Sequence, residues 1–308
     1  MLRLAPVLAI VVSMYPAVWT RGETAPAPTY ANIRYGPHER NVLDVWLVES
    51  NKPTPLVVHI HGGGWKGGDK HRGLFSSYSK RAFDRLMNAR IAVASINYRY
   101  TSADHPLPAP LMDAARAVQF LRSKAHEWGL DKERFAAYGA SAGGCSTLWL
   151  AFHDEVADPD NDDPIGRESS RLLCAAAINA QSSIAPDQLR VWIGPLAEEH
   201  GMIRNAFGLG TVARSYEAGH RATYMKYSPI THLDKNDPPI FLTYVKENSP
   251  AKDISHAIHH PIFGIKVKEA MDKFGTECQL IVAGQPYGQA KEYDHYADFL
   301  IDQLTAVH

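Results

Sequence analysis

The chain reads as an α/β protein, with a mostly parallel central sheet carrying helices on both faces, and three observations predict this. From residue 41 onward, short β-branched or apolar runs alternate with amphipathic stretches, the pattern of helices packed on a mostly parallel sheet. Two apolar sets recur at helical spacing: Leu111, Ala114, Val118, Leu121 and Ala125, ending near Gly129, and Tyr296, Phe299, Leu300 and Leu304 near the C-terminus. The 308 residues are 45% hydrophobic and 21% charged, enough for a buried core and without a disordered composition.

In chain order, Arg3 precedes an apolar run over 4–19 that is too short and too proline-interrupted to span a bilayer but suits the core of a signal peptide. Residues 1–25 are therefore expected to be a signal peptide and linker, with the protein secreted or periplasmic and without stable membrane insertion. Strands are expected over 41–48, 55–60, 91–97, 134–138, 172–178, 239–244 and 278–282. The one long departure from alternation, 182–233, is polar and Gly-rich with scattered Trp, Leu and Tyr, and is expected to form a cap over a cleft.

Charge and cysteine content exclude several classes. Thirty-two Lys and Arg against 33 Asp and Glu leave a net charge of −1, which lacks the electrostatic footprint of a nucleic-acid or anionic-membrane binder. Three cysteines cannot make a disulfide framework; Cys145 and Cys174, each inside an apolar run, are expected to be buried and inert. Asp158, Asp160 and Asp162 have the alternate spacing that begins a calcium loop. Asp163 stands where that loop needs glycine and Ser169 where it needs a bidentate acid, so a solvated acidic loop is expected and no metal.

Two motifs carry chemistry. Gly139-Ala140-Ser141-Ala142-Gly143 fits G-x-S-x-G between the strand-like RFAAY and a helix-capable run. A serine on a sharp strand-to-helix turn needs small neighbours, and the helix N-terminus behind it favours a developing anion. His61-Gly62-Gly63-Gly64-Trp65 follows the apolar LVVHI, and a glycine run at a strand's C-terminal end lets bare N–H groups face a cleft as an oxyanion hole. Trp65 stands equally as a wall of the acyl pocket or as an ordinary packed aromatic.

With HGGGW, GGDK at 67–70, INYRY at 96–100, Asp113 and GASAGG at 139–144, the chain resembles the α/β-hydrolase fold, in its esterase/lipase branch with an HGGG motif and carbohydrate-esterase-like members. The resemblance spans 30–308 and is most specific over 56–150. It implies Ser141 as nucleophile, the N–H groups of Gly63, Gly64 and Ala142 as oxyanion donors, and a triad in the order Ser, acid, His. After CQLIV the histidines are His295 and the terminal His308, and His295, at the start of DHYADFLIDQL, is the expected base. His259-His260, His153, His220 and His232 are expected at the surface or in the cap. The acid position after PPIFLTY falls on Asn248; Glu247 ranks first for the role, Asp253 second, and Asn248 third as an orienting amide. The expected function is hydrolysis of a small-molecule or polymer-linked carboxylic ester through an acyl-enzyme, with no cofactor. An amide or formamide hydrolase and an inactive hydrolase-fold binding protein are the alternatives.

Overall fold

The computed structural model describes residues 25–76, 79–208, 217–289 and 291–306. The apolar run 4–19, on which the export expectation rests, lies outside the described residues. The strands are β1 (Tyr30–Arg34), β2 (Val42–Trp46), β3 (Thr54–Ile60), β4 (Ala92–Ile96), β5 (Leu130–Ala140), β6 (Cys174–Ile178), β7 (Ile240–Tyr244), β8 (Cys278–Val282) and β9 (Gln285–Pro286). The helices are α1 (Lys70–Leu74), α2 (Lys80–Asn88), α3 (Ala109–Ser123), α4 (Ala125–Trp128), α5 (Ala142–Phe152), α6 (Pro186–Trp192), α7 (Gly201–Asn205), α8 (Ala218–Lys226), α9 (Ile254–Ile258), α10 (Ile262–Phe274) and α11 (Tyr296–Thr305).

Among the described residues the strands form one nine-stranded sheet in the order β1-β2-β4-β3-β5-β6-β7-β8-β9. From β4 to β8 every neighbouring pair is parallel, and β1, β2 and β9 add antiparallel edges. This is the α/β-hydrolase fold. The edge strands β1 and β9 were not among the expected ones. In β1 (YANIR) nearly every side chain is exposed, and β9 is two exposed residues ending in proline, so neither carries an apolar period.

Alternation along the central strands feeds two cores. Leu56, Val58 and Ile60 of β3 pack with Leu111 and Val118 of α3, Cys145 and Leu148 of α5, and Phe263 of α10. Val57, between them, points the other way into a core with Phe83 and Leu86 of α2 and Phe299 and Leu300 of α11. Each such side chain, moved from water into this interior, contributes on the order of 1.5–3 kcal/mol. Helix α5 is buried along its whole length, which is why its sequence, AGGCSTLWLAF, is apolar or small on every side.

This topology fixes where chemistry can occur. The chain leaves β3 toward β4 on one side and returns to place β5 on the other. The carboxyl ends of β3 and β5 therefore flank a switch point, where an open α/β sheet forms a crevice. Asp113 of α3 braces that end: its carboxylate accepts from the Arg99 backbone N–H at 2.8 Å and from the Arg99 guanidinium at 2.6 Å, tying the segment after β4 to the helix layer.

Cys145, Cys174 and Cys278 are unpaired and buried, and burial pushes the Cys278 thiol up to about 12. In the acidic stretch, Asp163 accepts from the Ile165 N–H at 3.1 Å and pairs with Arg116 at 2.5 Å, a structural use of its charge. No helix among the described residues is long and apolar enough to cross a membrane.

Candidate active site

Ser141 occupies the turn between β5 and α5 with φ 54° and ψ −123°. A non-glycine residue held there is strained, and the fold fixes it from both ends: the Ser141 N–H donates to the Ile178 carbonyl at 2.9 Å, and its carbonyl accepts from Cys145 at 2.8 Å. Close packing of the turn explains the flanking glycines. A Cβ on Gly143 would stand 2.1 Å from the Ile60 carbonyl oxygen and 2.6 Å from that of His61, so the start of α5 rests directly on the end of β3.

The glycine loop lies against this turn. A Cβ on Gly62 would come within 3.6 Å of the Ser141 Cβ. Gly63 adopts φ 104°, and its carbonyl turns away to accept from Lys66 at 3.0 Å and Gly67 at 3.1 Å. A Cβ on Gly63 would meet the Gly67 carbonyl oxygen at 2.3 Å. Among the described residues the N–H groups of Gly63, Gly64 and Ala142 make no hydrogen bond, leaving three donors beside the serine. The loop is held from below: the Tyr98 hydroxyl donates to the His61 carbonyl at 2.7 Å, and the His61 ring stacks on Tyr98. Trp65 is fully buried and donates from Nε1 to Ser146 Oγ at 2.9 Å, so it ties the loop to α5 as a packed aromatic.

The imidazole that meets Ser141 belongs to His259, not to His295. Ser141 Oγ and His259 Nε2 are 3.0 Å apart. His259 sits at the C-terminal end of α9, and its Nδ1–H donates to the Ser255 carbonyl at 3.0 Å, one of the terminal carbonyls a helix leaves unpaired. That bond places the ring proton on Nδ1 and leaves the Nε2 lone pair facing the serine hydroxyl. Burial, then the neighbouring His200 and Lys246, hold the His259 pKa below that of an ordinary imidazole.

His295 instead caps α11. Its Nδ1 accepts the Ala297 N–H at 3.1 Å, its ring lies on Tyr296, and it lines a separate pocket of about 540 Å³ with Arg81, Thr243 and Tyr293. Burial together with Arg81 and Arg85 lowers it to about 4.

Among the described residues neither carboxylate expected behind the base bonds the His259 ring. Exposed Glu247 offers its backbone carbonyl to His256 Nε2 at 3.1 Å, and the Asp253 side chain caps α9 by accepting the His256 N–H at 2.7 Å. Exposed Asn248 makes no bond to the His259 ring either; the partner of Nδ1 is the Ser255 carbonyl. The segment that delivers His259 is fastened by its neighbours. The stacked rings of His256 and His260 bond the Glu247 and Ser249 carbonyls, and Gln181 donates to the Ile258 carbonyl at 2.6 Å. The order rule for the triad points past β8, to His295 and not to His259. The signal available was the dense His256, His259, His260 cluster directly after β7.

A further histidine enters from the insertion between β6 and β7. His200 caps α7, accepting the Met202 N–H on Nδ1 at 3.2 Å, and its Cε1 is 3.9 Å from the position a Cβ on Gly64 would take. On the α1 side of the glycine loop a pocket of about 830 Å³ is lined by His59, His61, Asp69, Arg72 and Ala140 among others.

The sequence model of the BD-FAE family matches residues 43–257, ending two residues before His259. A Mycobacterium tuberculosis protein named "Probable carboxylic ester hydrolase LipM" is 25% identical over 224 residues, covering 71% of this chain and 48% of its own length. The chain spans about half, or less, of the length of the curated relatives it matches first. Among solved structures, a truncated carbohydrate esterase from gut microbiota superposes with a TM-score of 0.65 at 18% identity, over 91% of this chain and 100% of that one. An acetyl ester-xyloside bifunctional hydrolase from Caldicellulosiruptor lactoaceticus gives 0.62 at 21%, over 87% and 90%. At these identities the structural likeness speaks for the fold.

Proposed function

The chain belongs to the BD-FAE family, and from that premise we propose that it hydrolyses carboxylic esters through an acyl-enzyme on Ser141, with His259 as general base and a backbone carbonyl, not a carboxylate, behind it. The observation that carries the reading is the 3.0 Å contact between Ser141 Oγ and His259 Nε2, with the ring held in the tautomer that leaves Nε2 free.

In the first half, the Nε2 lone pair takes the Ser141 hydroxyl proton as Oγ bonds to the ester carbonyl carbon. The N–H groups of Gly63, Gly64 and Ala142 receive the oxygen that becomes negative. The imidazolium, its Nδ1–H on the Ser255 carbonyl, then passes its Nε2 proton to the leaving alkoxide, and the alcohol departs. In the second half, water gives a proton to Nε2 and attacks the acyl carbon. His259 returns that proton to Ser141 Oγ as the carboxylic acid leaves. An imidazolium with no carboxylate beside it is a stronger acid than a paired one, which suits protonation of a departing alkoxide.

The alcohol side is proposed to be a small molecule or a polymer-linked hydroxyl. The carbohydrate-ester names of the two structural neighbours support the second. Export of the chain, read from 4–19, belongs to the same proposal, and the N-terminal sequence of protein recovered outside the cytoplasm tests it.

A fluorophosphonate probe tests the mechanism. Labelling of the wild type that disappears in Ser141→Ala and drops in His259→Ala supports it; a folded wild type that takes no label refutes it. Paired p-nitrophenyl esters and anilides of the same acid test the ester assignment, with turnover of the ester expected to dominate.

A further inference from the structure

We propose that His200, carried by the insertion between β6 and β7, supplies a side-chain N–H to the oxyanion hole, so that the site stabilises the tetrahedral intermediate partly from outside the central sheet; this rests on the ester-hydrolase reading above.

The geometry begins with the tautomer. The Met202 N–H donates to His200 Nδ1 at 3.2 Å, so in the neutral ring the proton resides on Nε2. Among the described residues the bond at Nδ1 is the one the His200 side chain makes, and Nε2 makes none. The ring therefore presents an N–H and cannot compete with His259 as a base.

The Cε1 corner of the ring, between Nδ1 and Nε2, faces the glycine loop: Cε1 is 3.9 Å from the Cβ position of Gly64, and the Met202 Cβ lies 3.7 Å from the same point. Residues 200 and 202 thus sit over the glycine whose own N–H is unpaired. The ring also lies close enough to His259 to disfavour a second positive charge there.

His200 is itself kept neutral, first by burial and then by Arg204. A neutral N–H donor strengthens as negative charge grows on the carbonyl oxygen, and it needs no proton transfer to do so. His200 is therefore a donor aimed at the transition state rather than at the ground-state ester.

Two variants separate this role from helix capping. His200→Ser keeps a good cap for α7 but cannot reach the site; His200→Gln retains an N–H at comparable reach. With p-nitrophenyl acetate, whose alcohol side carries no sugar-like hydroxyls to bind, His200→Ser is expected to lower kcat about 100-fold with KM changed less than threefold, the scale of losing one oxyanion donor. His200→Gln is expected to recover at least tenfold of that loss. Wild-type kcat in folded His200→Ser overturns the proposal and assigns the residue to capping alone. A rise in KM with unchanged kcat also overturns it, since the residue would then bind ground state and transition state alike. A wild type that turns over no ester overturns both this and the function it rests on. An active wild type with indifferent His200 variants overturns this alone.

Discussion

Exchanging the expected and observed histidines is the sharpest perturbation of this site. When a serine-protease triad is dismantled, losing the histidine costs about 2 × 10⁶ in kcat and losing the acid alone about 3 × 10⁴. Their quotient, about 70, approximates what a serine and an imidazole achieve together with no group behind the ring. Here the Ser255 carbonyl at 3.0 Å supplies orientation and tautomer but no charge, so His259 should be worth more than that quotient and less than a full triad. His259→Ala is therefore expected to lower kcat by about 10³, or about 4 kcal/mol of barrier. His295→Ala removes only the side-chain bond to the Ala297 N–H and a ring contact with Tyr296. Its expected cost is about 1 kcal/mol of stability, a fall of a few degrees in Tm, with kcat within twofold of wild type. Steady-state turnover of p-nitrophenyl acetate with thermal melts on the same preparations reads both quantities. A large fall in kcat for His295→Ala, with His259→Ala near wild type, would refute the assignment of the base.

Four other outcomes are expected. Because burial lowers the His259 pKa, the neutral, basic ring persists as pH drops below the ordinary imidazole value near 6.5; kcat/KM should be flat through pH 6.5 and fall only below it, and a midpoint above 7 would contradict the buried base. Buried His59 and His61 are depressed to about 3 and about 4, so the unfolded chain binds more protons below pH about 6.5. Stability present above that pH should be lost on acidification at about 1.4 kcal/mol per pH unit for each ring until its folded pKa is reached, read as a falling urea midpoint between pH 7 and 5. Gly63→Val forces a Cβ into the Gly67 carbonyl and should cut kcat 100-fold or more; a folded variant with normal kcat would remove the loop from the mechanism. Glu247→Gln and Asp253→Asn should both leave kcat within about threefold, since neither carboxylate reaches His259, and a steep loss in either would restore it as the triad acid.

What was legible in the sequence follows from which signals are local. The strand before Ser141, the helix after it and the glycine run after β3 each announce themselves through composition over a few residues, and all appear where expected. β1 could not be read because its contribution is backbone pairing along an exposed edge. His259 was hidden for a different reason. Its partnership with Ser141 spans 118 positions, and among fifteen histidines no local pattern distinguishes one that meets a serine from one that caps a helix. The order rule favoured His295, which has a cap's sequence context and a cap's role. His200 was invisible too, since only the folded insertion brings it over Gly64.

The base and the group that orients it lie four residues apart on a single helical turn, Ser255 and His259. Where the base follows the last strand and its acid the one before, two loops must stay in mutual register, and every length change in either is screened against the reaction. Here that unit travels as one short cassette, and the connection between β8 and α11 is released from the constraint. Residues 283–294 should accept insertions, deletions and wholesale replacement at little cost to turnover. This stretch is the natural place for related chains to diverge in length and for an engineer to attach a second binding function.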